Sequence, residues 1–335
     1  MELKKVGNDI GKVMLSLTLG GAILYWMYRD FDFGRAREVM LNGMDWTWML
    51  LSLPFGVAAQ AFRGWRWSQT LEPLGEKPRS GVSLCAIFFS YAISLVVPRV
   101  GELARCGVLK RYEGISFPKA LGTVVTERAI DSVVIAVVAL TTFFCQFRIF
   151  DTFFVRTGTR MDTLLSSFTP AGWMVTVLCA LVALGFFAYQ LRQISIYNKV
   201  KHTVWQIGQG IASVKDVRNK PLFVTYTLAI WLSYFLHYYL TFFCFEATSA
   251  LGADCALVTF IVGSIAVIVP TPNGAGPWHF AVKTMLILYG VAENDALYFV
   301  LIVHGVQTLL VALLGILAWT RLSFTTVQTK QTENR

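Results

Sequence analysis

The stretch LCAIFFSYAISLVVPRVGELAR, residues 84–105, indicates how this chain folds. Its first part, Leu84–Val97, is apolar but shorter than the roughly 20 residues that a helix needs to cross a bilayer. Pro98 ends this part, and Arg99, Glu102 and Arg105 follow at intervals of three, which places them on one face of a second helix. An apolar half-helix followed by a charged one predicts a re-entrant hairpin whose charges line a polar cavity.

The composition of the whole chain indicates a membrane protein. Of its 335 residues 55% are hydrophobic and only 15% are charged, and the mean hydropathy is +0.57. The net charge of +9 does not indicate a nucleic-acid partner, because the Lys and Arg residues lie between apolar runs and act as topology signals. The six cysteines are scattered without a C-x-x-C pair, so neither a metal site nor a disulfide framework is expected. No cofactor is predicted.

Two kinds of apolar segment alternate along the chain. Leu84–Val97 and Ala256–Val269 are short, and each ends at a proline followed by glycine-containing polar sequence. The fold class is therefore predicted as an all-α polytopic membrane protein with full spans and two re-entrant helical hairpins. The six predicted full spans are Val13–Tyr28, Trp46–Phe62, Ala120–Phe147, Ala171–Tyr189, Leu222–Phe245 and Ala296–Trp319.

The orientation follows from the Lys and Arg residues of the short loops. The segments Arg63–Arg79 and Arg192–Lys220 are basic, whereas Glu246–Asp254 and Val291–Asp295 contain no Lys or Arg. The basic loops are predicted to be cytoplasmic, in the inner membrane of a bacterium, with both termini on the cytoplasmic side. The two hairpins then enter the membrane from opposite sides.

An internal repeat supports this arrangement. EGISFPKALGTVVTERAIDSVVIA, residues 113–136, aligns at a constant offset with YGVAENDALYFVLIVHGVQTLLVA, residues 289–312. Residues 1–335 are therefore predicted to form one membrane domain built as an inverted repeat, with its substrate site between broken helices. The predicted halves are residues 1–165 and 166–325, with a cytoplasmic interfacial helix at about 194–218 and a polar tail at 326–335.

The predicted span that starts near Lys119 contains three charged side chains, Glu127, Arg128 and Asp131. Charges inside hydrocarbon cost roughly 2.5 to 3.5 kcal/mol each when unpaired, so they indicate either a substrate cavity or a buried ion network that satisfies itself. The repeat places His304 and Gln307 opposite Arg128 and Asp131.

The segment VIVPTPNGAGPWHF, residues 267–280, interrupts the second hairpin. Its glycines, among them Gly274 and Gly276, allow a lipid headgroup to approach the backbone, and its exposed amides favour an anion. Asn273, His279 and Lys283 complete the predicted binding residues here. An external loop that caps a helix is the alternative. The nearby aromatic stripe is interpreted as helix packing and contributes no site residue: Trp231, Tyr234, His237 and Tyr238.

These segments together resemble the flippase-like membrane family typified by the transmembrane part of lysylphosphatidylglycerol synthase, over nearly the whole chain. PRVGELAR at residues 98–105 and TERAID at residues 126–131 match the family's P-x-x-G-E-x-x-R and E-R-x-x-D patterns. The third segment departs from P-G-G-x-G-x-x-E, since Asn273 replaces a glycine and His279 replaces a glutamate. The resemblance implies movement of a lipid between leaflets, and not lipid synthesis, because only a short polar tail follows Trp319.

The leading expectation is a translocator of a phospholipid or polyprenyl-phosphate lipid, and not an enzyme. The arginines favour an anionic headgroup, whereas the carboxylates can pair with them, bind a cationic group or carry a coupling proton. No Walker A sequence is present, which leaves scrambling or proton or sodium coupling; a homo-oligomer is also left open. The alternatives are an integral-membrane lipid-modifying enzyme, a small-solute transporter and a non-transporting partner of an envelope lipid synthase.

Overall fold

The computed structural model describes residues 18, 20–29, 31–98, 100–147, 149, 152, 209, 212–269 and 271–327. Within these residues the protein is all-α and contains no β-strand. Residues 20–28 are helical. The main helices that follow are labelled in chain order as α1 (Phe33–Asn42), α2 (Trp46–Leu71), α3 (Ser80–Val96), α4 (Val100–Glu113), α5 (Phe117–Cys145), α6 (Lys220–Leu240), α7 (Ala253–Ala266), α8 (Pro277–Leu288) and α9 (Glu293–Ser323).

Short turns connect several of these helices. They are the 3₁₀ turns Glu72–Leu74, Ser213–Asp216, Thr241–Cys244 and Pro272–Gly274, and the single α-turn Glu246–Ser249. Local sequence determines where the first helices begin, because Asp32 caps α1 and Asp45 caps α2 by accepting a backbone N–H bond from the first turn.

In the part of the chain that the structure describes, three helices are long and apolar enough to cross a membrane, by length and composition: Phe117–Cys145, Lys220–Cys244 and Glu293–Ser323. They coincide with three of the predicted spans. The predicted spans Val13–Tyr28 and Ala171–Tyr189 lie partly and wholly outside the described residues, and so does most of the predicted interfacial helix at 194–218. The predicted half-helices Leu84–Val97 and Ala256–Val269 overlap α3 and α7, which are short apolar helices and end one and three residues earlier than predicted.

Each short apolar helix packs against the helix that follows it. Gly101 of α4 lies so close to α3 that a Cβ there would be 1.9 Å from the carbonyl oxygen of Ser90. Gly263 of α7 lies against Trp278 of α8 in the same way, because a Cβ there would be 2.9 Å from the indole nitrogen. Small residues at these contacts let two helices approach closely without a cavity between them.

The order of helix lengths repeats along the chain. A long helix, two short ones and another long one make up α2 to α5, and the same order recurs in α6 to α9. The aligned glycines Gly114 and Gly290, which follow α4 and α8, both have positive φ, at 64° and 93°. They share the left-handed conformation that commonly ends a helix, so the sequence alignment coincides with a structural one here.

The interpretation of Arg63–Arg79 as a basic loop is wrong for its first part. The helix predicted to end at Phe62 continues to Leu71, because the residues after Phe62 keep one face of α2 buried. Arg63 and Arg66 are therefore buried residues of a helix, with relative exposures of 3% and 1%.

Two clusters of buried apolar side chains hold the helices together. One contains Tyr238, Phe242 and Phe299 together with residues of α7 and α8. The other contains Trp67 and Leu71 of α2 and residues of α3, α4 and α5. The helix α9 contributes to both, so it connects the regions that flank the cavity described below.

Candidate functional site

A buried ion network joins α2 to α5. Arg63 Nη1 donates to Glu127 Oε1 at 2.5 Å and to Asp131 Oδ2 at 2.6 Å. Arg66 Nη2 donates to Asp131 Oδ1 at 2.8 Å. Because Arg63 and Arg66 are three residues apart on α2, and Glu127 and Asp131 four apart on α5, each pair lies on one helix face and the two faces meet.

The α4 hairpin arm adds a third guanidinium. Arg105 Nη1 donates to Glu127 Oε2 at 2.9 Å, and its guanidinium carbon lies 4.8 Å from the centre of the Trp67 ring. The Trp67 indole N–H donates to Thr123 on α5. The network therefore ties α2, α4 and α5 together through both charge and packing.

Charge in the network does not cancel. Among the described residues, three buried guanidinium groups, from Arg63, Arg66 and Arg105, meet two buried carboxylates, so one positive charge remains. At the edge of the network Arg128 and Glu102 pair at 3.0 Å, with side chains that are 41% and 38% exposed. This outer pair is neutral, so the buried excess of positive charge stands.

The structure brings five of the predicted site residues together here: Glu102, Arg105, Glu127, Arg128 and Asp131. Arg99 lies outside the described residues. Sequence reasoning missed Arg63 and Arg66, although two arginines three apart directly after an apolar run are a sign that the helix continues. The observed pairing is the buried ion network, one of the two interpretations of these charges drawn from the sequence. The partners of its carboxylates on α2, Arg63 and Arg66, are not identified by the sequence pattern.

A cavity of about 290 Å³ lies next to this network. Its walls come from α2, α3, α6, α7, α8 and α9 and from the loop between α7 and α8. The polar or aromatic side chains that line it are Gln60, Tyr91, Tyr234, His237, Tyr238, Phe260, Ser264, Asn273, Trp278, His304, Gln307 and Thr308. We refer to it as the central cavity.

Two tyrosines connect the central cavity to the ion network. The hydroxyl groups of Tyr91 and Tyr234 lie 2.9 Å apart, and the Arg63 guanidinium lies 5.9 Å from the Tyr234 ring centre. Gln60 Oε1 is buried and has no hydrogen-bond partner among the described residues. An unpaired buried acceptor is unfavourable unless a ligand or water satisfies it, so the cavity is suited to a polar guest.

Three of the four residues of the aromatic stripe on α6 line the cavity, and Trp231 does not. Tyr234, His237 and Tyr238 line it, and His237 Nδ1 is 2.8 Å from the carbonyl oxygen of Ser52 on α2. The polar members recur at intervals of three or four, which places them on one helix face, but the sequence alone does not say what that face meets.

The loop between α7 and α8 shapes the far side of the cavity. Asn273 has φ of 55°, and Gly274 and Gly276 have φ of 69° and 89°. This backbone brings the Asn273 carboxamide nitrogen to 2.8 Å from His304 Nε2 and 2.6 Å from Thr308 Oγ1. Pro270 of the same segment lies outside the described residues.

The remaining predicted residues divide between two places. Gln307 lines the central cavity, and His279 contacts His304, with His279 Nε2 3.0 Å from His304 Nδ1. Lys283 lies apart from them and pairs with Glu293 at 2.8 Å. No group of three or more His, Cys, Asp or Glu side chains that could hold a metal ion occurs in the described part of the chain.

The model of the lysylphosphatidylglycerol synthase TM region family matches residues 13–315 of this chain. The chain belongs to this family. The match spans both predicted halves, the ion network and the central cavity, and it confirms the resemblance seen in the sequence. As a member of the lysylphosphatidylglycerol synthase TM region family, the protein is a membrane protein related to lipid handling. No curated protein and no solved structure matches the chain.

Proposed function

We propose that this protein is a lipid translocator that moves a polar headgroup between leaflets through the central cavity. The observation that carries the proposal is the position of that cavity. Residues from both predicted halves line it, such as Gln60 and Tyr91 from the first and Tyr234, Asn273 and His304 from the second. A site between two repeats, next to broken helices, is where alternating-access transporters bind their substrates.

The size of the cavity favours a headgroup over a whole lipid. Its volume of about 290 Å³ is just below the range of small-molecule sites, about 300 to 1,000 Å³. Acyl or prenyl chains do not fit in this space and remain in the bilayer. The polar lining then replaces the water that a headgroup loses when it leaves the membrane surface.

The charge next to the cavity favours an anion. The ion network carries one excess positive charge, and Arg63 places it directly behind the Tyr91–Tyr234 pair. At low dielectric such a charge attracts a phosphate more strongly than it does in water. We therefore propose a phospholipid or polyprenyl-phosphate substrate, moved without chemical change.

The proposal includes a membrane arrangement. Six full spans and two re-entrant hairpins, α3–α4 and α7–α8, enter from opposite sides of a bacterial inner membrane, with both termini cytoplasmic. The repeated helix order and the matching left-handed glycines Gly114 and Gly290 support an inverted repeat. Single-cysteine labelling at loop positions from either side of the membrane tests this topology.

Leaflet exchange in proteoliposomes tests the activity. Fluorescent phosphatidylglycerol and a fluorescent polyprenyl phosphate serve as probes, and a membrane-impermeant quencher reports the outer leaflet. Ser264 lines the cavity and Ser132 is exposed on α5; both hydroxyls donate to the carbonyl four residues earlier. Ser264→Phe fills the cavity and should slow exchange about tenfold or more, a barrier increase of about 1.4 kcal/mol. Ser132→Phe adds the same ring outside the cavity and should stay near wild type.

Exchange at the wild-type rate in folded Ser264→Phe protein contradicts transport through the central cavity. No exchange above protein-free liposomes with either lipid contradicts translocation itself. In that case the enzyme alternative is decided by mass spectrometry of the extracted lipids, because an enzyme leaves a product of changed mass. Unchanged lipids favour a non-transporting partner or a solute transporter.

A further inference from the structure

Two histidines separate the central cavity from a second pocket. His304 lines the central cavity, whereas His279 lines a pocket of about 490 Å³ next to the helix of residues 20–28. This outer pocket is also lined by Leu24, Tyr25, Tyr28, Arg29, Phe33 and Leu301. The two rings lie 4.6 Å apart between centres and are joined by the 3.0 Å contact between His279 Nε2 and His304 Nδ1. A hydrogen bond therefore connects one compartment with the other.

The histidine pair is held at both ends. The backbone N–H of Gly276 donates to His279 Nδ1 at 3.4 Å, a long bond. At the other end His304 Nε2 meets the Asn273 carboxamide at 2.8 Å. The Gly276 N–H and the Asn273 carboxamide both belong to the loop between α7 and α8. One loop therefore contacts both ends of the histidine pair.

The hydrogen bonds from Gly276 through His279 and His304 to Asn273 can all point in either of two directions. In the first direction, the Gly276 N–H donates to His279 Nδ1, so neutral His279 carries its proton at Nε2 and donates it to His304 Nδ1. Neutral His304 then carries its proton at Nε2 and donates it to Asn273, whose carboxamide oxygen must face the ring. If Asn273 donates its N–H instead, His304 donates to His279, and the His279 Nδ1 proton opposes the Gly276 N–H. Each direction satisfies the central bond, and the change from one to the other moves a proton across the pair.

The described residues around the histidine pair provide no negative charge that would neutralise an added proton. Tyr28 packs edge-on against His279 at 5.9 Å, and Trp278 lies 5.0 Å from His304. Lys283 and Glu293 form a separate neutral pair. Among the described residues that line either compartment there is no carboxylate; the other titratable or charged ones are Tyr25, Tyr28, Arg29, Tyr91, Tyr234, His237 and Tyr238. A proton on the pair thus favours an anion in the central cavity, and an anion favours the proton, by the same factor.

We propose that His279 and His304 form a proton relay between the outer pocket and the central cavity, and that a proton accompanies the anionic headgroup. This inference rests on the proposed lipid transport. One proton is taken up at His279 Nδ1 in place of the long bond from the Gly276 N–H, and the Nε2 proton of His279 crosses to Nδ1 of His304. The Nε2 proton of His304 then leaves past the Asn273 carboxamide, which lines the central cavity. One proton enters and one leaves, and rotation of the rings or a return in the opposite direction resets the pair.

A transport experiment tests the coupling. Exchange of fluorescent phosphatidylglycerol is measured in proteoliposomes with and without an imposed pH gradient, while a trapped pH dye records proton movement. We expect the gradient to change the wild-type exchange rate about tenfold, equivalent to 1.4 kcal/mol. His279→Gln and His304→Gln should each lose this response. His237→Gln, which removes a cavity histidine outside the relay, should keep the ratio of rates whatever its absolute rate.

A spectroscopic measurement tests the relay without relying on transport. In nanodiscs, protein labelled with ¹⁵N-histidine should show a nitrogen–nitrogen coupling across the bond between His279 and His304, and both glutamine variants should abolish it. Absence of that coupling in the wild type overturns the relay even if lipid exchange is found. An exchange rate that ignores the pH gradient also overturns it and leaves the proposed function intact. If no lipid exchanges, the proposed function fails, and the spectrum together with the pH dye decides the relay.

Discussion

Replacing Glu127 with glutamine should destabilise the protein more than removing any one of its cationic partners. Glu127 accepts from Arg63 at 2.5 Å and Arg105 at 2.9 Å, and Arg66 lies 3.5 Å away. Three buried guanidinium groups and two carboxylates leave one positive charge in the wild type. In Glu127→Gln two positive charges remain, in a site whose side chains are almost completely buried.

The cost follows from these contacts. Removal of one member of a buried ion network leaves an uncompensated charge and costs about 3 to 5 kcal/mol. Arg105→Met removes a charge as well, but it brings the network to neutrality and keeps a long apolar side chain against Trp67. Its cost should be about 1.5 to 3 kcal/mol, the value of one hydrogen bond to a charged group. The double variant restores the original balance, so its cost should be smaller than the sum by at least about 1 kcal/mol.

Equilibrium unfolding in mixed micelles, followed by tryptophan fluorescence, measures these free energies. The comparison uses wild type, both single variants and the double variant in the same micelles. Arg105→Met as costly as Glu127→Gln, or additive costs in the double variant, would show that charge balance does not govern the network. Excess positive charge would then not explain a preference of the cavity for an anion either.

Two further predictions concern the hairpin and the loop. Gly101→Ala should destabilise the protein by about 3 kcal/mol in the same unfolding assay, because its Cβ would meet the Ser90 carbonyl oxygen at 1.9 Å and push α3 and α4 apart. Gly107→Ala on the same helix, where a Cβ meets nothing within 4 Å, should be neutral or stabilise by up to about 1 kcal/mol; equal effects at both positions would contradict the close helix contact. Asn273→Ala should cost about 1 to 2 kcal/mol more than Asn273→Gly, because alanine is strained at φ of 55°, and thermal unfolding of the two variants compares them directly.

Charge patterns on single helices can be read from the sequence. Glu127 and Asp131 are four apart and Glu102 and Arg105 three apart, and charged residues within an apolar span indicate a cavity or a network from the sequence alone. Helical periodicity fixes which residues share a face. It does not fix which face of another helix they contact. Arg63 and Arg66 are distant in sequence from Glu127, so the sequence gives no reason to pair them with it and leaves them in a predicted loop.

An all-α membrane protein with two interrupted apolar segments is predictable from the sequence, since length, hydropathy and proline position are local properties. The partners of the buried side chains follow from the way the helices pack. Packing of α2 against α5 and α6 places two arginines on two carboxylates and brings the α6 aromatic face into the central cavity, and packing of α8 against α9 sets His279 against His304. Contacts between residues 25 to 68 positions apart depend on how helices pack, and no local pattern encodes that.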